Sequence, residues 1–152
     1  EIATESVAAV AGGITSFMEM PNTVPQTTTL EALEWKYSRA AEVSPANYSF
    51  YIGATNDNFE VLKQVDFSQV CGVKIFMGSS TGNMLVDKMN SLLNIFNGTD
   101  MLIAAHCEDQ ETIKNNIANT SFFSIFNSFC IVWKNIKTRN NIAINTLIIF
   151  SE

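Results

Sequence analysis

Val70-Cys-Gly-Val-Lys-Ile-Phe-Met77, closed by Gly78-Ser-Ser-Thr-Gly82, is the stretch on which the fold turns. Its residues are mostly apolar at odd and even positions alike, with Lys74 set among them. A strand with one wet face alternates, whereas a strand apolar on both sides is covered on both, as in parallel sheets layered with helices. Moving outward, residues 87–96 carry a helical pattern, and Met101-Leu-Ile-Ala-Ala-His106 is a further apolar strand before a helix expected over 109–118. Towards the N-terminus, Asn47-Tyr-Ser-Phe-Tyr-Ile-Gly53 reads as a strand and 58–65 as a short helix. Thr28-Thr-Leu-Glu31 matches a capping box for a helix running to about Val43. Residues 14–20 form a strand ended by Pro21, preceded by an alanine-rich helix over 2–10 that Gly12-Gly13 stops. The alternation is βα throughout, so the class is α/β with a parallel sheet.

Two closures remain open: a doubly wound sheet or part of a (β/α)8 barrel. About four βα units fall short of a full barrel of about 250 residues. No Gly-x-Gly-x-x-Gly follows a strand, which weighs against a dinucleotide fold. In both architectures the chemistry belongs at the C-terminal strand ends.

The whole chain has 152 residues, 47% apolar and 16% charged, enough for one domain. Its formal charge of −6 argues against nucleic acid and anionic membrane as partners, which need a basic surface. No apolar run reaches the roughly 18 residues that span a bilayer. Glu1 to Ser6 is acidic and polar, so no secretory leader is expected. Cys71, Cys107 and Cys130 are odd in number and widely spaced, which suits a reduced, cytoplasmic setting. Composition breaks at residue 118. Residues 1–118 hold 14 acidic and 6 basic side chains, and residues 119–152 hold 1 and 3. All seven glycines and all three prolines precede the break, while Phe, Ile, Asn and Lys make up 20 of the last 34 residues. Residues 119–152 keep neither helical nor strand spacing for long and read as an atypical tail, foreign to the 1–118 domain.

The strand ends carry Met20-Pro-Asn-Thr23, Gly53-Ala-Thr-Asn56, Lys74 with the Gly78–Gly82 loop, and His106-Cys-Glu108. A lysine inside an apolar strand is expensive to bury, so it either snorkels to solvent or serves as a neutral amine for covalent work. On pattern alone snorkelling is favoured. His106, the single histidine, ends an apolar strand, and on periodicity alone such a histidine is more often a core residue than a ligand. Asn22 after Pro21 is ordinarily a turn residue. Cys107 points away from His106, since neighbours on a strand face opposite sides. The Gly78–Gly82 loop could cradle an anion but lacks the Lys-Ser/Thr ending of a P-loop.

Together these pieces are far more specific. Thr4-Glu-Ser-Val-Ala-Ala-Val-Ala-Gly-Gly-Ile-Thr-Ser-Phe-Met-Glu-Met-Pro-Asn-Thr23, Val73-Lys-Ile-Phe-Met-Gly78 and Ile103-Ala-Ala-His-Cys-Glu108 resemble, in that order, the dihydroorotase branch of the amidohydrolase superfamily. The resemblance covers residues 1 to about 118. It implies a partial TIM barrel, about four parallel βα units of a (β/α)8 fold. It also implies zinc-dependent opening of the cyclic amide of dihydroorotate to N-carbamoyl-aspartate, a step of pyrimidine biosynthesis. Hydantoinases and allantoinases share the Lys and His motifs, but Met20-Pro-Asn-Thr23 favours dihydroorotase.

Carried over, the family places a carboxylated lysine at Lys74, bridging two zinc ions, and a second-metal ligand at His106. Asn22 corresponds to a residue that hydrogen-bonds the substrate carboxylate. The departures are the family's His-x-His pair, which would precede Glu1, and a later His and catalytic Asp. Residues 119–152 contain neither His nor Asp. No residue is therefore assigned as general base, and the chain reads as an internal, inactive fragment lacking the first and last barrel strands. The rival readings are a non-catalytic α/β module for binding or assembly, and a small α/β protein that holds an anion at Gly78–Gly82.

Overall fold

A computed structural model describes residues 1–78, 80 and 82–107, together with the backbone of 129–133, 135–138, 141–144 and 148–150. The helix expected over 109–118 lies outside the described residues. Within them the elements run α1 (Ile2–Ala11), β1 (Ser16–Glu19), α2 (Leu30–Val43), β2 (Asn47–Gly53), α3 (Phe59–Leu62), β3 (Gly72–Phe76), α4 (Met89–Gly98) and β4 (Ile103–Cys107). Four short strands follow: β5 (Phe129–Trp133), β6 (Asn135–Thr138), β7 (Asn141–Ile144) and β8 (Ile148–Phe150).

Strands β1 to β4 are parallel and neighbour one another in sequence order. Successive right-handed βα units that always advance in one direction build a barrel wall; a doubly wound sheet would reverse at a switch point. The open choice of closure thus resolves to a partial (β/α) barrel. Strand β5 then pairs antiparallel with β4, β8 with β5, and β6 with β7 in a separate pair. Residues 119–152, whose spacing predicts no sustained helix or strand, hold these short strands among the described residues. The segment is rich in Ile and Phe, which favour extended backbone even without regular alternation.

Helix α2 shows how sequence builds the outer layer. Leu33, Lys36 and Ala40 are buried at helical spacing on the face turned to the sheet. Its cap is Thr29, whose hydroxyl accepts a hydrogen bond from the Ala32 amide at 3.2 Å. The box expected from Thr28 is displaced by one residue, because Thr29 is the one with extended backbone and a hydroxyl reaching the first turn. Glu31, in that turn, is held below the usual carboxylate range by a backbone hydrogen bond and by the Thr29 hydroxyl.

Residue alternation and register divide the sheet cleanly. Phe50 and Ile52 of β2, Val73 and Ile75 of β3, and Ile103 and Ala105 of β4 point outward into one core with Leu33, Leu62 and Ile95 of the helices. Lys36 of α2 is buried in this layer and reaches Glu19 of β1 at 2.5 Å. Its ammonium also sits 5.5 Å from the centre of the Phe50 ring.

Candidate active site

The alternate residues face the other way, into what would be the barrel lumen. Gly53 pairs with Lys74, Lys74 with Ala104, and Phe76 with His106, so all five share the inner face. Lys74 and His106 stand on adjacent strands, displaced by one side-chain step, at the C-terminal end of the sheet. The Phe76 ring lies beside both: the Lys74 Nζ is 4.9 Å from its centre, and the His106 ring is 5.9 Å away at 44°. Lys74 is 4% exposed, so the snorkelling favoured on sequence pattern is overturned. Strands β2 and β4 pair with β3 along both of its edges. His106 is half-buried. Its carbonyl accepts a hydrogen bond from the Met77 amide at 2.8 Å, which ties the ends of β3 and β4 together.

Cys107 turns to the opposite face and meets the Met77 sulfur at 3.7 Å, as alternation requires. Burial pushes the Cys71 thiol up, against the pull of the Ser49 hydroxyl, which leaves it a poor nucleophile.

Asn22 is exposed, one residue beyond Pro21. The 21–27 loop is closed by the Thr27 amide on the Pro21 carbonyl at 2.9 Å, and the Gly53 amide holds the Thr27 carbonyl at 2.8 Å. Pro21 rests on Gly53, where an added Cβ would lie 3.1 Å from the proline Cβ and would overlap the Met84 methyl. Asn22 therefore belongs to the same strand-end layer as Lys74, with one strand between. Thr27 is fully buried and its hydroxyl has no hydrogen-bond partner.

Sequence reading missed the side chains that organise this layer. Asn58 accepts from the Thr55 amide at 2.8 Å and donates to the Gly53 and Thr28 carbonyls at 2.9 and 3.0 Å, joining the first two loops. Asn56 donates to the Leu85 carbonyl and the Asp87 carboxylate and accepts from the Lys88 amide, joining the second and third. The available signal was Asn56-Asp-Asn58 directly after a strand, a run of residue types that bond local backbone. Cavities of about 280 and 550 Å³ open beside Lys36 and Tyr37 on the helix side.

A metal could draw on Lys74, once converted to a carbamate oxygen donor, and on the His106 imidazole. Those donors suit zinc in kind, but a catalytic zinc takes three protein ligands. Among the described residues no cluster of three or more His, Cys, Asp or Glu side chains forms a metal site. The donor set present is partial.

Known proteins resemble this chain in sequence and fold. The Dihydro-orotase-like family profile covers residues 1–139. The dihydroorotase of Bacillus subtilis is 32% identical over 130 residues, which are 81% of this chain and 29% of that protein. The dihydroorotase of Thermococcus kodakarensis is 32% identical over 110 residues, 72% of this chain and 25% of its own. Among solved structures, the L-hydantoinase (dihydropyrimidinase) of Arthrobacter aurescens superposes with a TM-score of 0.69 at 27% identity, covering 78% of this chain and 27% of that one. The chain spans less than a third of the length of these relatives. With the family matched from the first residue through the Lys74 and His106 strands, this chain belongs to the Dihydro-orotase-like family.

Proposed function

We propose that these 152 residues carry one part of a dihydroorotase-type site for hydrolysis of a cyclic amide, and that by themselves they do not turn dihydroorotate over. The observation that carries the reading is the burial of Lys74 on the same sheet face, and at the same sheet end, as His106. A buried ammonium is costly; once deprotonated, the Lys74 amine can form an N–C bond to carbon dioxide and release a proton, leaving a carbamate anion able to hold a metal. Lys74 as carboxylysine and His106 are the proposed zinc donors, and Asn22 the group that hydrogen-bonds the substrate carboxylate. Zinc, when bound, supplies Lewis acidity towards the ring carbonyl and lowers the pKa of water. The chain's own contribution is to hold the donors, shield Lys74 from water and present Asn22 from the first loop.

Two donors fall short of a closed catalytic set, and no described residue is assigned to move the proton to the leaving nitrogen. The similarity to an L-hydantoinase supports the broader substrate class, a cyclic amide. No helix among the described residues is long and apolar enough to cross a membrane. The free thiols of Cys71 and Cys107 support a cytoplasmic setting.

The test supplies the purified chain with zinc and ¹³C-bicarbonate at mildly alkaline pH. A carbamate carbon resonance is expected, absent in K74M and retained with weaker zinc binding in H106A. Dihydroorotate turnover is expected to be no greater than in K74A. A wild-type chain without the resonance overturns the role of Lys74, and zinc-dependent turnover lost in K74A overturns the claim that the donor set is partial.

A further inference from the structure

The loop that follows β3 does not simply return to α4. Residues 84–86 fold back along the sheet: Leu85 bridges to Phe76 in parallel fashion, and the Val86 amide donates to the Phe76 carbonyl at 2.9 Å. Met84 and Val86 are fully buried, and the Met84 methyl lies over Gly53. What holds this segment down comes from the neighbouring loop. The Asn56 amide group donates to the Leu85 carbonyl at 3.3 Å and to the Asp87 carboxylate at 2.8 Å. The Lys88 amide donates to the Asn56 side-chain oxygen at 3.1 Å. The Ser91 hydroxyl donates to the Asn56 carbonyl at 2.7 Å, fixing the backbone that carries the side chain. One asparagine thus takes three bonds from a segment whose other edge is bonded to Phe76, and the Phe76 ring lies 4.9 Å from the Lys74 Nζ.

We infer that Asn56 is a positioning residue: it latches residues 84–88 over the end of β3 and thereby keeps the Phe76 ring against Lys74 and water away from the amine. The inference deepens the proposed function by naming what keeps Lys74 enclosed, and it rests on that reading only for the use to which Lys74 is put. Asn56 is distant in sequence from Lys74, and its side-chain bonds run to the loop.

The experiment treats the full chain, in bicarbonate-free buffer, with acetic anhydride and follows each lysine by peptide mass spectrometry. Lys36 is buried under the outer layer and reports global opening, and the exposed Lys63 reports reagent strength. In N56A, acylation of Lys74 is expected to quicken about tenfold, as loss of local hydrogen bonds lowers the free energy of local opening. Lys36 and Lys63 should keep their wild-type rates. The swap N56D/D87N returns a donor opposite an acceptor and should slow Lys74 again, whereas N56D alone sets two carboxylates together and should not. An unchanged Lys74 rate in N56A overturns the latch. So does a parallel rise at Lys36, which marks global unfolding, or a swap no slower than N56D. A chain that forms no carbamate but obeys this pattern refutes the proposed function and leaves the latch standing.

Discussion

The two faces of the sheet are built from alternate residues of the same strands, yet they are filled on different terms. Outward, Phe50, Ile52, Val73, Ile75 and Ile103 meet helix side chains in an apolar layer, and the buried cation Lys36 there is neutralised by Glu19. Inward, Gly53, Lys74, Phe76 and His106 set a glycine, an amine, a ring and an imidazole side by side. The outer face is chosen for volume, and a change in it is felt as lost stability. The inner face is chosen for chemistry and close approach, and its cost appears as a buried polar group that packing alone would not select.

The comparison breaks most visibly in F50A. Removing the ring that touches Tyr37 edge-on at 4.9 Å and lies under Lys36 should cost roughly 3–5 kcal/mol in urea denaturation. A loss under about 1 kcal/mol would show that the outer layer is not the core. G53A probes the inner face. Its new methyl overlaps the Met84 methyl and presses Pro21, and because the methionine end is flexible the expected loss is about 1–3 kcal/mol. The nuclear magnetic resonance shifts should centre on residues 21–27 and 82–86, and shifts centred on the outer layer would contradict the assignment of faces.

The smallest effect belongs to Glu31 at the head of α2. Its folded pKa is depressed, by a backbone hydrogen bond first and the Thr29 hydroxyl second, so its contribution is present above the unfolded carboxylate pKa and lost as pH falls through the folded one. E31Q should therefore flatten slightly the fall of Tm with acidification below about pH 4.3, without change at neutral pH. An unchanged acid limb would remove Glu31 from the titration.

Much of this was legible in advance. Continuous apolar runs announced parallel strands, and Asn47–Gly53 was bounded correctly because Pro45 and Gly53 punctuate it. The strand around Lys74 was set too long at both ends, since Val70 and Met77 are apolar for packing rather than for pairing. The box at Thr28 and Glu31 was misplaced by one residue, because two adjacent threonines offer the same hydroxyl and only backbone geometry selects between them. Lys74 was misjudged as a snorkelling side chain, since pattern reports that a strand is buried but not what roofs its end. The 84–88 segment beside that end is held by Asn56 across the loops, a contact with no periodic signature.

Strand order carries a last consequence. Each of β1 to β4 pairs only with strands adjacent to it in the chain, so the wall closes no long loops beyond a single βα unit. Contacts of such short range shorten the search in folding. On the ribosome, β2 can dock on β1 as soon as its own residues emerge, and β3 on β2 after it. Assembly can then follow the order of synthesis, and Lys74 acquires its glycine neighbour at Gly53 before the histidine strand has been made.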